Sequence, residues 1–154
     1  MMVMKILKSH PESEEAKELI EELSSLLFEI TGDDGKSSFS NHEFDSPRST
    51  FIVIQNNGEN VACGSIRPLT NDICEIKRMY AKRPGMGLGK RVLDELEKQA
   101  EAFGFKEICL STRRINKNAV DFYLANNYLI SESYGKYKNR PESVCLTKKI
   151  RKIE

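Results

Sequence analysis

Between residues 88 and 103 the apolar positions Leu88, Val92, Leu96, Ala100 and Phe103 recur at helical spacing, with mostly charged residues between them. That period places one apolar stripe along a helix. Gly104 ends the helix, and Phe105 stands where an apolar residue packs back on the last turn. An earlier helix is predicted to open at Pro11 and stop at Gly32. Its buried side holds Ala16, Leu19, Ile20, Leu23, Leu26, Leu27 and Ile30. A third starts at Asn116, a good N-cap, and runs through Ala119, Val120, Tyr123 and Leu124 to the turn at Asn126-Asn127. The other apolar segments are short and rich in β-branched residues, so they read as strands. They are residues 3–8, TFIVIQ, VACGSIRPL, CEIKRMYA, EICLST, YLISESYG and SVCLTKKI. NNGEN and TND supply turns between the middle strands. The polar stretch 31–50 reads as a loop with room for one short helix, long enough to border a site. The order is β-α-(α)-β-β-β-α-β-α-β-β. Hairpin-linked middle strands make this a mixed sheet with helices on its faces, an α/β (α+β) domain spanning 1–154.

Just before the second helix, Gly85, Gly87 and Gly89 alternate in KRPGMGLGKR. Strand, glycine loop and helix N-terminus together gather unpaired N–H groups and the positive end of the helix dipole, which suits a phosphate ligand. Two familiar phosphate loops do not fit. A Walker loop requires glycine where Pro84 stands and Ser or Thr where Arg91 stands. The dinucleotide fingerprint requires a third glycine where Lys90 stands, and belongs early in a βαβ unit. An ordinary strand-to-helix turn remains the alternative.

Composition narrows the class. The chain has 154 residues, a formal charge of +1 and 31% charged residues, so nothing points to nucleic acid. The basic cluster Lys148, Lys149, Arg151 and Lys152 reads as a solvated tail. MMVMKILK is too short for a signal peptide, and no apolar run reaches membrane-spanning length. Cys63, Cys74, Cys109 and Cys145 lie far apart in apolar contexts, as reduced core residues of a cytoplasmic protein do. His10 and His42 stand alone, so no metal site is expected.

With those elements, EIKRMYA followed by GMGLGKRVLDELEKQA resembles the fourth strand, pyrophosphate loop and third helix of the GNAT superfamily of N-acetyltransferases. NKNAVDFYLANNY is similar to that family's N-x-x-A-x-x-F/L-Y-x-x-x-G-Y helix. SYGKYKNRPESVCLTKKI is similar to the closing hairpin of its small bacterial members. The resemblance runs from about Thr50 to Ile150 and implies a mostly antiparallel sheet of about seven strands. It departs at Pro84, which stands where the family loop carries Arg or Gln, in a loop about two residues short. Either one side-chain contact to the pyrophosphate is missing, or Arg83, just before Pro84, swings in to supply it. Asn127 replaces the usual glycine before the last aromatic.

The resemblance implies acetyl-CoA as co-substrate, without a metal, and a primary amine of a small molecule or amino-acid-like compound as acceptor, attacking directly in a ternary complex. A protein-lysine or N-terminal acetyltransferase, and a non-catalytic acyl-CoA-binding regulatory module, are the alternatives. Neither nucleic acid nor a membrane is an expected partner, and a homodimer is compatible with the family. The backbone of Gly85, Met86, Gly87, Leu88, Gly89 and Lys90 is expected to hold the pyrophosphate, and that of Met79, Tyr80 and Ala81 the thioester and pantetheine. Asn116 matches an asparagine that touches the CoA arm. Tyr123 matches the general acid that protonates the leaving thiolate and also lies against the co-substrate. Glu75 matches the glutamate that serves as base in histone-acetylating members. On strand alternation, Glu75, Lys77 and Met79 share one face, and Cys74, Ile76 and Arg78 the other. The alternative for Glu75 is pairing with Lys77 or Arg67. Arg48, Arg67, Arg113 and Arg114 are the candidates to receive a carboxylate on the acceptor.

Overall fold

In TFIVIQN alternate side chains serve two different cores, which sets the layering of the whole molecule. Ile52 and Ile54 join a large cluster with Val92, Leu93, Leu96, Ile108 and Tyr128. Phe51 and Val53 join a smaller one with Ala16, Leu19 and Cys63. A sheet therefore lies between helices on both faces. The computed structural model describes residues 4–36, 45–83 and 85–150. Its strands are β1 (Met4–Ser9), β2 (Thr50–Asn56), β3 (Glu59–Pro68), β4 (Ile73–Ala81), β5 (Glu107–Arg113), β6 (Leu129–Ser131) and β7 (Ser143–Lys149). Its helices are α1 (Glu14–Thr31), α2 (Leu88–Ala102) and α3 (Lys117–Ala125). The sheet order is β1-β2-β3-β4-β5-β7-β6. Every pairing is antiparallel except β4 with β5, which the α2 crossover makes parallel.

Three expectations are corrected. The first helix starts at Glu14 rather than at Pro11, because the Ser13 hydroxyl accepts from Ala16 N and caps it. Its apolar side is narrower than the periodicity suggests, since Leu26 is exposed and Ile30 only half-buried. The strand expected over YLISESYG stops at Ser131, and a 3-10 turn at Gly135–Tyr137 follows. Of the stretch 31–50, which has room for a short helix, residues 37–44 with His42 lie outside the described residues, as do Pro84 and the tail positions Arg151 and Lys152.

The feature that positions the site is a β-bulge. β3 and β4 run in register from Pro68↔Cys74 to Ser65↔Lys77, then shift so that Cys63 faces Tyr80. Gly64 thus stands against two residues, Arg78 and Met79. Arg78 takes the extra position with φ 57°, a left-handed conformation uncommon for an arginine. A Cβ on Gly64 would come within 2.5 Å of Val92 and 2.6 Å of Met79, so only glycine lets α2 sit over the bulge. The extra residue reverses the alternation. Met79 turns toward the α2 core, and Arg78 lies on the α1 face near Gly35 and Leu27, the opposite of the faces strand alternation predicts. β4 pairs with β5 over Ile73, Cys74 and Glu75. Beyond that point the two strands part and a notch opens.

Candidate active site

A cavity of about 220 Å³ occupies the notch. Ile76, Lys77, Arg78 and Met79 of β4 form one wall, and Leu110 to Arg113 of β5 the other. Asn116, Ala119 and Tyr123 of α3 close one end. Leu23, Leu27 and Thr31 of α1, Tyr137 and Arg140 close the rest.

Tyr123 is 6% exposed, packed edge-on against Phe122 at 5.1 Å and Tyr128 at 5.5 Å between ring centroids. Burial raises its pKa well above the phenol range, so it holds its proton at any physiological pH. Asn116 caps α3 through its side chain, accepting from Ala119 N at 3.4 Å, and also borders the cavity. Met79 lines the same wall, while Tyr80 and Ala81 pair with Cys63 and Ala62 of β3.

The glycine loop follows directly on β4. Gly87 is the N-cap of α2 with φ 69°, and no side chain caps the helix. The first turn's N–H groups are therefore left to an outside acceptor. Gly85 and Gly87 both have positive φ, and a Cβ on either would project into open space. That is a cradle fit for a phosphate group. Gly89 differs, because its Cβ position lies 3.3 Å from the Phe122 ring, so its smallness serves the packing of α2 on α3. Leu88 is buried in the core, while Met86 is exposed at the loop surface. The Lys90 side chain pairs with Asp94 at 3.1 Å. Arg83 does not turn toward this loop. Both its terminal nitrogens bind the Glu59 carboxylate, at 2.5 and 2.8 Å.

Glu75 is 1% exposed and does not line the cavity. Its Oε1 accepts from Arg67 at 2.7 and 3.0 Å, with Lys77 Nζ at 3.6 Å. Its Oε2 accepts from the Tyr134 hydroxyl at 2.5 Å. The pairing with Arg67 and Lys77 is thus the arrangement present. Tyr134 comes from the segment expected to be strand, and its shielding of Glu75 has no signal in local sequence. Burial, with Cys109 and Glu75 adding, pushes the Tyr134 pKa far up.

The candidate arginines separate. Arg48 sits over the Phe105 ring at 3.9 Å and donates to Phe103 O and Asn71 O, a scaffold role. Arg67 is held by Glu75, and Arg114 donates to Pro141 O. Only Arg113 of the four borders the cavity, joined there by Arg78 and Arg140, which the pattern alone does not single out. The four cysteines are free and buried; burial pushes the thiols of Cys63, Cys74 and Cys109 up to about 12. Among the described residues no group of His, Cys, Asp and Glu is arranged to hold a metal ion. No described helix is long and apolar enough to cross a membrane.

Comparison with known proteins bears on this geometry. The family model described as the acetyltransferase (GNAT) family matches residues 16–128. The chain is 25% identical over 148 residues to the IAA acetyltransferase of Azospirillum brasilense, covering 94% of this chain and 97% of the other. The fold is shared with a Klebsiella pneumoniae protein described as an acyl-CoA N-acyltransferase, at TM-score 0.81 and 24% identity, covering 97% and 99% of the two chains. It is shared too with a GNAT acetyltransferase of Elizabethkingia anophelis solved with acetyl-CoA bound, at TM-score 0.70 and 16% identity, covering 95% and 97%.

Proposed function

The chain belongs to the GNAT family of acetyltransferases, and from that premise we propose that it moves the acetyl group of acetyl-CoA to a primary amine of a small molecule. The observation that carries this reading is the notch between β4 and β5, bordered by Tyr123, together with the glycine loop that follows β4 and leaves the first turn of α2 without a side-chain cap.

In this reading the N–H groups from Gly85 to Lys90 hold the pyrophosphate, favoured by the positive end of the α2 dipole. Backbone groups of Met79, Tyr80 and Ala81, on the β4 edge that has parted from β5, position the thioester. Asn116 lies along the CoA arm. The acceptor amine enters as the neutral base and its nitrogen bonds to the thioester carbon. As the C–S bond breaks, Tyr123 gives its proton to the sulfur, and the proton lost by nitrogen passes through water to restore the phenol. The Arg83 guanidinium stays with Glu59, so pyrophosphate binding rests on backbone donors.

Glu75 works from below the site. Its oxygens are occupied and screened from the cavity, so it acts as a positioning residue. It fixes Lys77 in the cavity wall and anchors Tyr134, next to the Tyr137 that completes the wall. Tyr134 and Tyr137 pack edge-on at 5.5 Å, which transmits that anchoring.

The test is thiol release from acetyl-CoA across a panel of amino acids, polyamines, aminoglycosides and peptides, with acetyl-CoA binding followed separately by calorimetry. Binding with turnover on a small amine is expected. Tight binding with no turnover on any amine would make the chain a sensor, and absence of binding would sink the reading.

A further inference from the structure

The charge on the cavity wall is uneven in a chain that is nearly neutral overall. Lys77, Arg78, Arg113 and Arg140 face Asp33 and Glu142 there, four cations against two anions. Lys77 is committed to Glu75, which leaves the excess on arginines. Arginine is the side chain whose planar fork matches a carboxylate.

Two of these arginines are built into the wall. Arg113 ends β5 on the far side of the notch. Its Nε is buried and has no hydrogen-bond partner among the described residues. Its ion pair with Asp33 is long, 4.0 Å from one terminal nitrogen. A buried guanidinium edge without an acceptor is costly to keep, and an arriving anion would satisfy it. Arg78 faces it from β4 at the bulge, 8% exposed. Gly35 packs close against its guanidinium, since a Cβ there would stand 3.6 Å from Nη1 and only 3.1 Å from Leu27.

We propose that the acceptor is an amino carboxylate, its carboxylate received by Arg113 and Arg78 while its amine points along β4 toward the thioester. This rests on the acetyltransferase reading and narrows its substrate class. The small half-enclosed cavity favours a free amino acid over a folded protein surface. Asp33 and Glu142 at the rim keep the pocket from rejecting the ammonium form in which such a compound arrives.

The test compares α- and ω-amino acids with their carboxamides, pair by pair, in the wild-type chain and in Arg113→Gln and Arg78→Gln. Two readouts are taken: thiol release from acetyl-CoA, and the thermal shift each compound gives the CoA-saturated protein. Charge-assisted pairing with a guanidinium should favour the best acid over its amide by about ten- to a hundredfold in kcat/KM. In Arg113→Gln that preference should fall to within about threefold. Arg78→Gln should do the same; if it fails to fold at the bulge, Arg113→Gln and Arg113→Lys decide, the lysine restoring only part of the preference. Acids that stabilise the CoA complex over their amides, with no thiol released, would support this site and overturn the acetyltransferase reading. No pair favouring the acid in either readout, or a preference that survives Arg113→Gln, would overturn the proposal.

Discussion

Replacing Glu75 with glutamine removes one charge from a buried polar cluster. The amide keeps a carbonyl oxygen for Arg67 and turns an N–H₂ toward Tyr134, whose hydroxyl can rotate to accept. Hydrogen bonds are thus partly recovered, but Arg67 and Lys77 lose their counter-ion. Breaking a buried ion pair by removing one partner costs about 3–5 kcal/mol. The side chains of Arg67 and Lys77 keep 23% and 11% exposure, so solvent screens part of that loss and about 2–4 kcal/mol is expected. For a chain of this length each kcal/mol lowers the midpoint by about 2–4 °C, which gives a fall of about 4–16 °C by calorimetry. Turnover should fall at least tenfold, because Lys77, Tyr134 and Tyr137 lose their alignment. The factor should be the same from pH 6.5 to 9, since no substrate amine reaches the carboxylate. A loss at pH 7 that recovers near pH 9, where more of the amine is neutral, would make Glu75 the base and refute the positioning role. An unchanged midpoint would refute the energetics of the cluster.

The other predictions probe the rest of the site. Tyr123→Phe should lower turnover about ten- to a hundredfold, the range of a lost general acid, with acetyl-CoA affinity by calorimetry little changed; retained turnover would return Tyr123 to packing alone. Gly87→Val should weaken acetyl-CoA binding at least tenfold, because φ 69° excludes a β-branched residue and its Cβ would stand in the cradle; equal affinity would displace the pyrophosphate from this loop. Arg83→Ala should leave the Michaelis constant for acetyl-CoA within about threefold of wild type, since its guanidinium is held by Glu59; a tenfold rise would mean that Arg83 leaves Glu59 when co-substrate binds.

Much of the scaffold is written in local pattern, and much of the site is not. The stripe Leu88, Val92, Leu96, Ala100 is buried as its period requires, and hairpin turns fix the order of β2, β3 and β4. Leu26 and Phe28 are apolar residues of α1 and yet lie exposed. The bulge is invisible along EIKRMYA, since an extra residue in one strand shows only against its partner at Gly64. Every face assignment after Lys77 is reversed by that single insertion, which is why Arg78 reads as a core-side residue and turns out to border the cavity. Arg113 and Arg140 come from separate segments, and only the antiparallel pairing of β7 with β5, which sets Arg113 opposite Ser143, brings them to one pocket. Tyr134 looks like part of a strand, and its bond to Glu75 spans 59 residues of chain.

The short parallel pairing of β4 with β5 gives the protein a seam. On one side stand β1 to β4, and on the other β5, β7 and β6. Three residues of β4 join them across the sheet, helped by α2 laid over the line. Above those three the backbone edges face each other without a ladder between them. Anything bound along that gap acts as mortar, tying two halves that otherwise hold by a few rungs and a helix. The free protein should therefore breathe along this line first, with amide exchange in Lys77–Tyr80 and Leu110–Thr112 fastest among the central strands. A ligand should slow it there by an amount that tracks its concentration over its dissociation constant. Durability in such a fold is lent by its substrate, and a starved enzyme is a looser one.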